Sequence, residues 1–274
     1  MSKSTGAAAQ DAARRRRCGV GGDGADSNRS SRDPMVRLRT LLILAVVAVA
    51  ILVVLTYESN VRTDTGDVGA RARDIHSGPY GSVGYEIDYE QGAAPDPTPV
   101  SRLLDFGHRY SGKLTFADQT SGAIPAQGKQ CYTDAQAFAI ADSHHDRISF
   151  PPVLWLHYTF LNGYNCASNH VAGETYRATS VIIFMPALRS CGLPVIGGSC
   201  VADQVLEAAA MAHENGHVMG LCAISMPDLS PPICDGTGHA LDKMSLMAPV
   251  LDPSSPNVIN LTLEGKEVQL LNEL

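Results

Sequence analysis

His213, Glu214 and His217 stand in the run His-Glu-Asn-Gly-His, near the end of an alanine-rich stretch from Val201 to Gly220. On a helix, residues four apart share a face, with about 5–6 Å between their Cβ atoms, so both imidazoles reach one cation. Imidazole is a common zinc ligand, and zinc acidifies water towards a pKa of about 7. Glu214, one residue round the helix from His213, meets such a water without occupying a ligand position. It then accepts the proton as the water adds to a carbonyl. Residue types and spacing therefore point to hydrolysis at one catalytic Zn²⁺.

A helix of this kind needs a scaffold. Ser199 is placed to cap it and Gly220 to stop it. Val153 to Phe160 is aromatic and β-branched, lies between Pro151-Pro152 and Asn162-Gly163, and reads as a strand. Thr179 to Met185, closed by Pro186, reads as a second and buried one. Thr133 or Asp134 caps a helix running to about Asp142, and Leu261 to Leu271 is a last short helix. Such an order of elements makes an α+β layer domain.

His213 to Leu221 (HENGHVMGL) resembles the active-site helix of metzincin-type zinc metallopeptidases, H-E-x-x-H-x-x-G-x-x-H followed by a Met-turn. Gly220 stands where that family has its glycine. Ser245-Leu-Met-Ala-Pro249 resembles the Met-turn, with Met247 as the methionine beneath the metal. The resemblance spans about residues 110–274 and is specific at the helix. It implies a zincin-like fold, a mixed sheet beside the active-site helix, and an endopeptidase that takes protein or peptide substrates. The substrate would lie extended beside the strand Thr179–Met185. Ala223 departs from the pattern, because the third histidine is expected there. His239, in Gly238-His-Ala-Leu-Asp242, resembles the later histidine of a bacterial variant, in a G-H-x-x-D segment ahead of the Met-turn. Asp228 and Asp235 are rival oxygen ligands. Glu264 and Glu267 suit the other zincin arrangement, in which a glutamate comes from a later helix. Ala223 also motivates a second class of function, a surface binding or adhesion module with a structural zinc and no turnover.

Composition restricts the surroundings. With 45% hydrophobic and 18% charged residues and a net charge of -7, the chain is neither a multi-span membrane protein nor wholly disordered, and it is no basic nucleic-acid binder. The charge is uneven: residues 1–57 hold nine Lys/Arg against four Asp/Glu, and residues 58–274 hold twelve against twenty-four. Between the halves, Leu41 to Leu55 gives fifteen unbroken apolar residues. The expectation is a disordered basic tail at 1–37, a transmembrane signal anchor at 38–57, a stalk at 58–100 and a catalytic domain at 101–274. The arginines ahead of the apolar run would keep the N-terminus cytoplasmic and the domain extracytoplasmic, with secretion after cleavage as the alternative.

Cys18 stands alone, while Cys131, Cys166, Cys191, Cys200, Cys222 and Cys234 follow the apolar run and are expected to form disulfides. Proximity suggests Cys191–Cys200 and Cys222–Cys234, leaving Cys131 with Cys166. His144-His145 reads as a solvated helix end, His157 as a core or substrate-face residue, and Asn260-Leu-Thr262 as a glycosylation sequon.

Overall fold

Residues 82–90 alternate Val83, Tyr85, Ile87 and Tyr89 with glycine and acids, the period of two that marks a strand. In the computed structural model, which describes residues 34–63, 66–119, 123–189, 201–223 and 232–273, this segment lies inside the main sheet. The span 58–100, expected as a stalk, thus contributes to the folded body.

The chain divides into two units, Met1–Ala50 and Ile51–Leu274. The apolar run lies within helix α1 (Pro34–Thr63). Among the described residues, no helix is long and apolar enough to cross a membrane. That overturns the single-pass anchor at 38–57 and the sidedness assigned with it. The physical reason is length. Fifteen apolar residues rise only about 22 Å as a helix, against a hydrocarbon core of about 30 Å.

In the second unit come α2 (Ala72–His76), β1 (Ser82–Glu90), α3 (Pro97–Ser111) and β2 (Leu114–Asp118). Next are β3 (Ala123–Ile124), β4 (Cys131–Tyr132), α4 (Asp134–His144) and β5 (Val153–Leu161). Then follow β6 (Tyr164–Asn165), β7 (Gly173–Thr175), β8 (Ser180–Phe184) and α5 (Met185–Arg189). The last are α6 (Val201–Val218), α7 (Pro256–Asn260) and α8 (Gly265–Asn272). Local chemistry sets several boundaries. Thr133 caps α4 in a reciprocal capping box with Gln136. Proline starts α3 and Gly112 ends it at φ 68°.

The main sheet runs β2-β1-β5-β8-β7, with β3 also on β1. All pairings are parallel except that of β7 on β8. The fold is therefore mixed α/β, with one antiparallel edge strand. The segment Thr179–Met185, expected beside the substrate, becomes β8 and is an interior strand, so the edge belongs to β7.

The two faces of the sheet differ. Val83, Tyr85, Ile87, Leu154, Leu156, Tyr158, Val181 and Ile183 form one apolar face, in a single core with Leu103 and Phe106 of α3 and the buried alanines of α6. Alanine favours the helix and lets it lie close to the sheet. The other face carries Glu86, Asp88 and Glu90, all buried. Glu86 accepts from the backbone N–H groups of Asp146 (2.9 Å) and Arg147 (3.0 Å) and pairs with His157. Glu90 accepts from Tyr132 Oη (2.6 Å) and from the N–H groups of Gln127 and Asn162. Such donors offset the cost of burying the Glu86 and Glu90 carboxylates.

Candidate metal centre

Helix α6 ends by reversing direction. Gly220 at φ 100° lets its N–H reach His217 O (3.0 Å), while Leu221 N–H reaches Gly216 O (2.9 Å). This is a Schellman turn, which uses a left-handed residue to satisfy the last carbonyls. It also carries the Leu221 carbonyl back to His217, whose Nδ1 lies 3.0 Å from it. His213 Nδ1 lies 2.8 Å from the carbonyl of Leu246, in the Met-turn-like segment.

Carbonyl oxygens only accept, so both Nδ1 atoms carry the proton and both Nε2 atoms are left with lone pairs. Those Nε2 atoms are 3.1 Å apart. Two such acceptors repel unless a cation lies between them. Two nitrogens about 2.0 Å from one tetrahedral zinc stand roughly 3.3 Å apart, so the spacing fits. Burial lowers the pKa of His213 and His217, the latter well below its usual range, which keeps them in the neutral, ligating form.

His239 completes the cluster: one nitrogen from each of His213, His217 and His239 lies within 4.8 Å of the others. The buried Nδ1 of His239 has no hydrogen-bond partner among the described residues, as a ligand nitrogen awaiting an ion would have. His239 sits on a hairpin closed by the Cys234–Ala240 bridge and by Leu241 N to Ile233 O (2.8 Å). Gly236 (φ 77°) and Gly238 (φ 107°) permit its bend, and Asp235 Oδ1 accepts from Thr237 N (2.8 Å) and His239 N (3.1 Å). These bonds hold the exposed Asp235 carboxyl down at about 2, the Thr237 hydroxyl contributing most. Ala240 N to Met247 O (2.8 Å) ties the hairpin to the Met-turn-like segment.

Of the rival ligands, Asp235 is spent on this turn and Asp228 lies outside the described residues. Glu264 and Glu267 form the capping box of α8, and Glu267 also accepts from Ser245 Oγ. Ala223 lines the smaller of two cavities at the site, leaving the third position to the hairpin.

Two of the expected disulfides are present, Cys131–Cys166 and Cys222–Cys234, while Cys191 and Cys200 lie outside the described residues. Cys222–Cys234 links the turn after α6 to the base of the His239 hairpin. Replacing both cysteines with serine is expected to weaken zinc binding about 10–100-fold, the range seen when ligand supports are lost. Competition with a chromophoric chelator measures it.

Met247 is fully buried and packs on α6 at Gly216. A Cβ at Gly216 would stand 2.4 Å from Met247 Sδ. Gly216→Ala gains about 1 kcal/mol of helix propensity but overpacks the site at a cost of about 1–3 kcal/mol. A net loss in chemical denaturation is expected, and Gly216→Ala with Met247→Ala should recover part of it.

Glu214 faces the edge strand. Its Oε2 accepts from Thr175 Oγ1 (2.7 Å), and burial raises its pKa to about 7 against the opposing effect of the Thr175 bonds. A cleft of about 740 Å³ is lined by His213, Glu214 and His239 with Leu188, Leu206 and Ala210. A second cavity, of about 260 Å³, shares Gly173, Glu214 and His239 with it. The sequence reading passed over Gly173, Thr175 and Gly216. Only Gly216, inside the histidine motif, carried a local signal.

His157 is a core residue, paired with Glu86 and stacked on His145 at 4.2 Å between centroids. His145 is buried too, away from the solvent expected for it. Burial together with the neighbouring His157, Arg177 and His144 lowers its pKa to about 2.

No family model and no curated protein matches the chain. A solved structure similar to it is archaemetzincin from Methanopyrus kandleri, at 15% identity over 72% of this chain and 96% of that one, with a TM-score of 0.43.

Proposed function

We propose that this chain is a zinc-dependent endopeptidase. The supporting observation is the convergence of the His213 and His217 Nε2 lone pairs 3.1 Å apart, with His239 beside them and the Glu214 carboxylate in the same cavity wall. His213, His217 and His239 are the residues that hold the ion. Zinc bound there supplies Lewis acidity that polarises a carbonyl and makes water a better nucleophile.

The chain's own groups do the rest. The outer edge of β7 pairs with an extended peptide, as exposed strand edges do. Leu188, Leu206 and Ala210 accept an apolar side chain and exclude water. Glu214 takes the proton of the attacking water at its carboxylate and returns it to the leaving amine. The test is the full chain loaded with zinc: about one ion per chain, cleavage inside peptides of a mixed library, and recovery by zinc after chelation are expected. Zinc bound with no cleavage of any peptide would sink the reading.

A further inference from the structure

Strand β7 touches Glu214 at two points. Thr175 Oγ1 is 2.7 Å from Glu214 Oε2 and 3.0 Å from the Glu214 backbone oxygen. Two residues earlier, a Cβ on Gly173 would stand 2.8 Å from both Oε1 and Cγ of Glu214. One carboxylate oxygen is thus held by a hydroxyl, and the other lies against bare backbone. Among the described residues, the side-chain hydrogen bond to this carboxylate comes from Thr175, whose backbone also bonds it.

We infer that Thr175 is the positioning residue for Glu214, fixing its carboxylate rotamer and tying the proton acceptor to the strand that ends the sheet among the described residues and receives the substrate. Glutamate has three rotatable side-chain bonds, and in a cavity it needs a fixed donor to hold one geometry. Threonine supplies one because branching at Cβ restricts χ1, so the strand fixes where Oγ1 sits. Its single proton favours the nearer acceptor, Glu214 Oε2 at 2.7 Å, over the backbone oxygen at 3.0 Å. β7 pairs with β8 over Gly173↔Ile183, Glu174↔Ile182 and Thr175↔Val181, and it is the last strand in the order. A peptide docked on its outer edge presses on the strand that carries Gly173 and Thr175, the two residues that touch Glu214. A misplaced acceptor lowers the rate of the chemical step without loosening the substrate. The inference rests on the peptidase reading.

The test compares T175V, which keeps the shape and loses the hydroxyl, with T175S, which restores it. In the zinc-loaded full chain, T175V is expected to lower kcat about 10–100-fold while KM and bound zinc stay within about 2-fold. T175S is expected to return kcat to within about 5-fold of wild type, short of full recovery because serine lacks the β-branch. A second readout uses zinc-free protein labelled with ¹³C at glutamate carboxyls, at about pH 9 where the carboxyl is ionised. The Glu214 resonance, identified by its loss in E214Q, should shift in T175V and return in T175S. Wild-type kcat in T175V, or equal losses in both variants, would overturn the inference. If the wild-type chain cleaves no peptide, the peptidase reading fails and the resonance alone decides: an unmoved Glu214 signal in T175V rejects Thr175, and a shifted one upholds its hold on the carboxylate.

Discussion

Glu214→Gln is expected to abolish peptide cleavage while the zinc remains bound. Glutamine keeps the size of the side chain and its place against Gly173, so the three histidines are undisturbed. It cannot accept the proton of the attacking water, and the loss of such a group costs about 10²–10⁴ in rate. Turnover at saturating peptide together with metal analysis checks both halves. The same variant tests the electrostatics in zinc-free protein. Burial raises the Glu214 carboxyl from 4.5 to about 7, so the folded chain keeps a proton that the unfolded chain releases. Stability from this group is full below the unfolded value of 4.5 and is lost as pH rises through about 7, by roughly 3 kcal/mol. Unfolding midpoints across that window should fall with pH in the wild type and fall less in Glu214→Gln. Equal slopes would show that another group carries the dependence.

The second large effect belongs to His239→Ala. His213 and His217 share a helix face and would still bind a metal as a pair, but weakly. Losing groups that merely support a ligand costs about 10–100-fold in affinity, so loss of a ligand should exceed about 100-fold. His170 lines the larger cleft without belonging to the three-histidine cluster, and His170→Ala serves as the control. Zinc titration of the two variants gives the answer: equal affinities would remove His239 from the centre.

The core of this site was legible because its signal is local. Four-residue spacing on one helix brings His213 and His217 together whatever the rest of the chain does. Thr133 marked α4 through its cap, and β5 and β8 were marked by apolar, β-branched runs bounded by proline or glycine. What the sequence concealed depends on contacts far along the chain. β1 alternates correctly, but its second face bears Glu86, Asp88 and Glu90, which reads as a solvated surface unless the donors at Asp146, Arg147 and Asn162 are known. β7 is three residues long and has no apolar period to announce it. The apolar run in α1 misled because its length lies at the short end of what spans a bilayer, where hydrophobicity alone does not decide.

The acidic face of β1 has a consequence for assembly. Glu86 draws its backbone donors from residues 60 and 61 positions away, and Glu90 from residues 37 and 72 away. A chain that docked β1 before those loops arrived would take carboxylates out of water with nothing to replace it. β1 should therefore stay hydrated until β5 and its flanking loops are formed, making an interior strand of the finished sheet one of the last parts to close. Slow, non-local closure of that kind follows from the cost of long loops. A strand flanked on both sides in the finished sheet would then come late in its history.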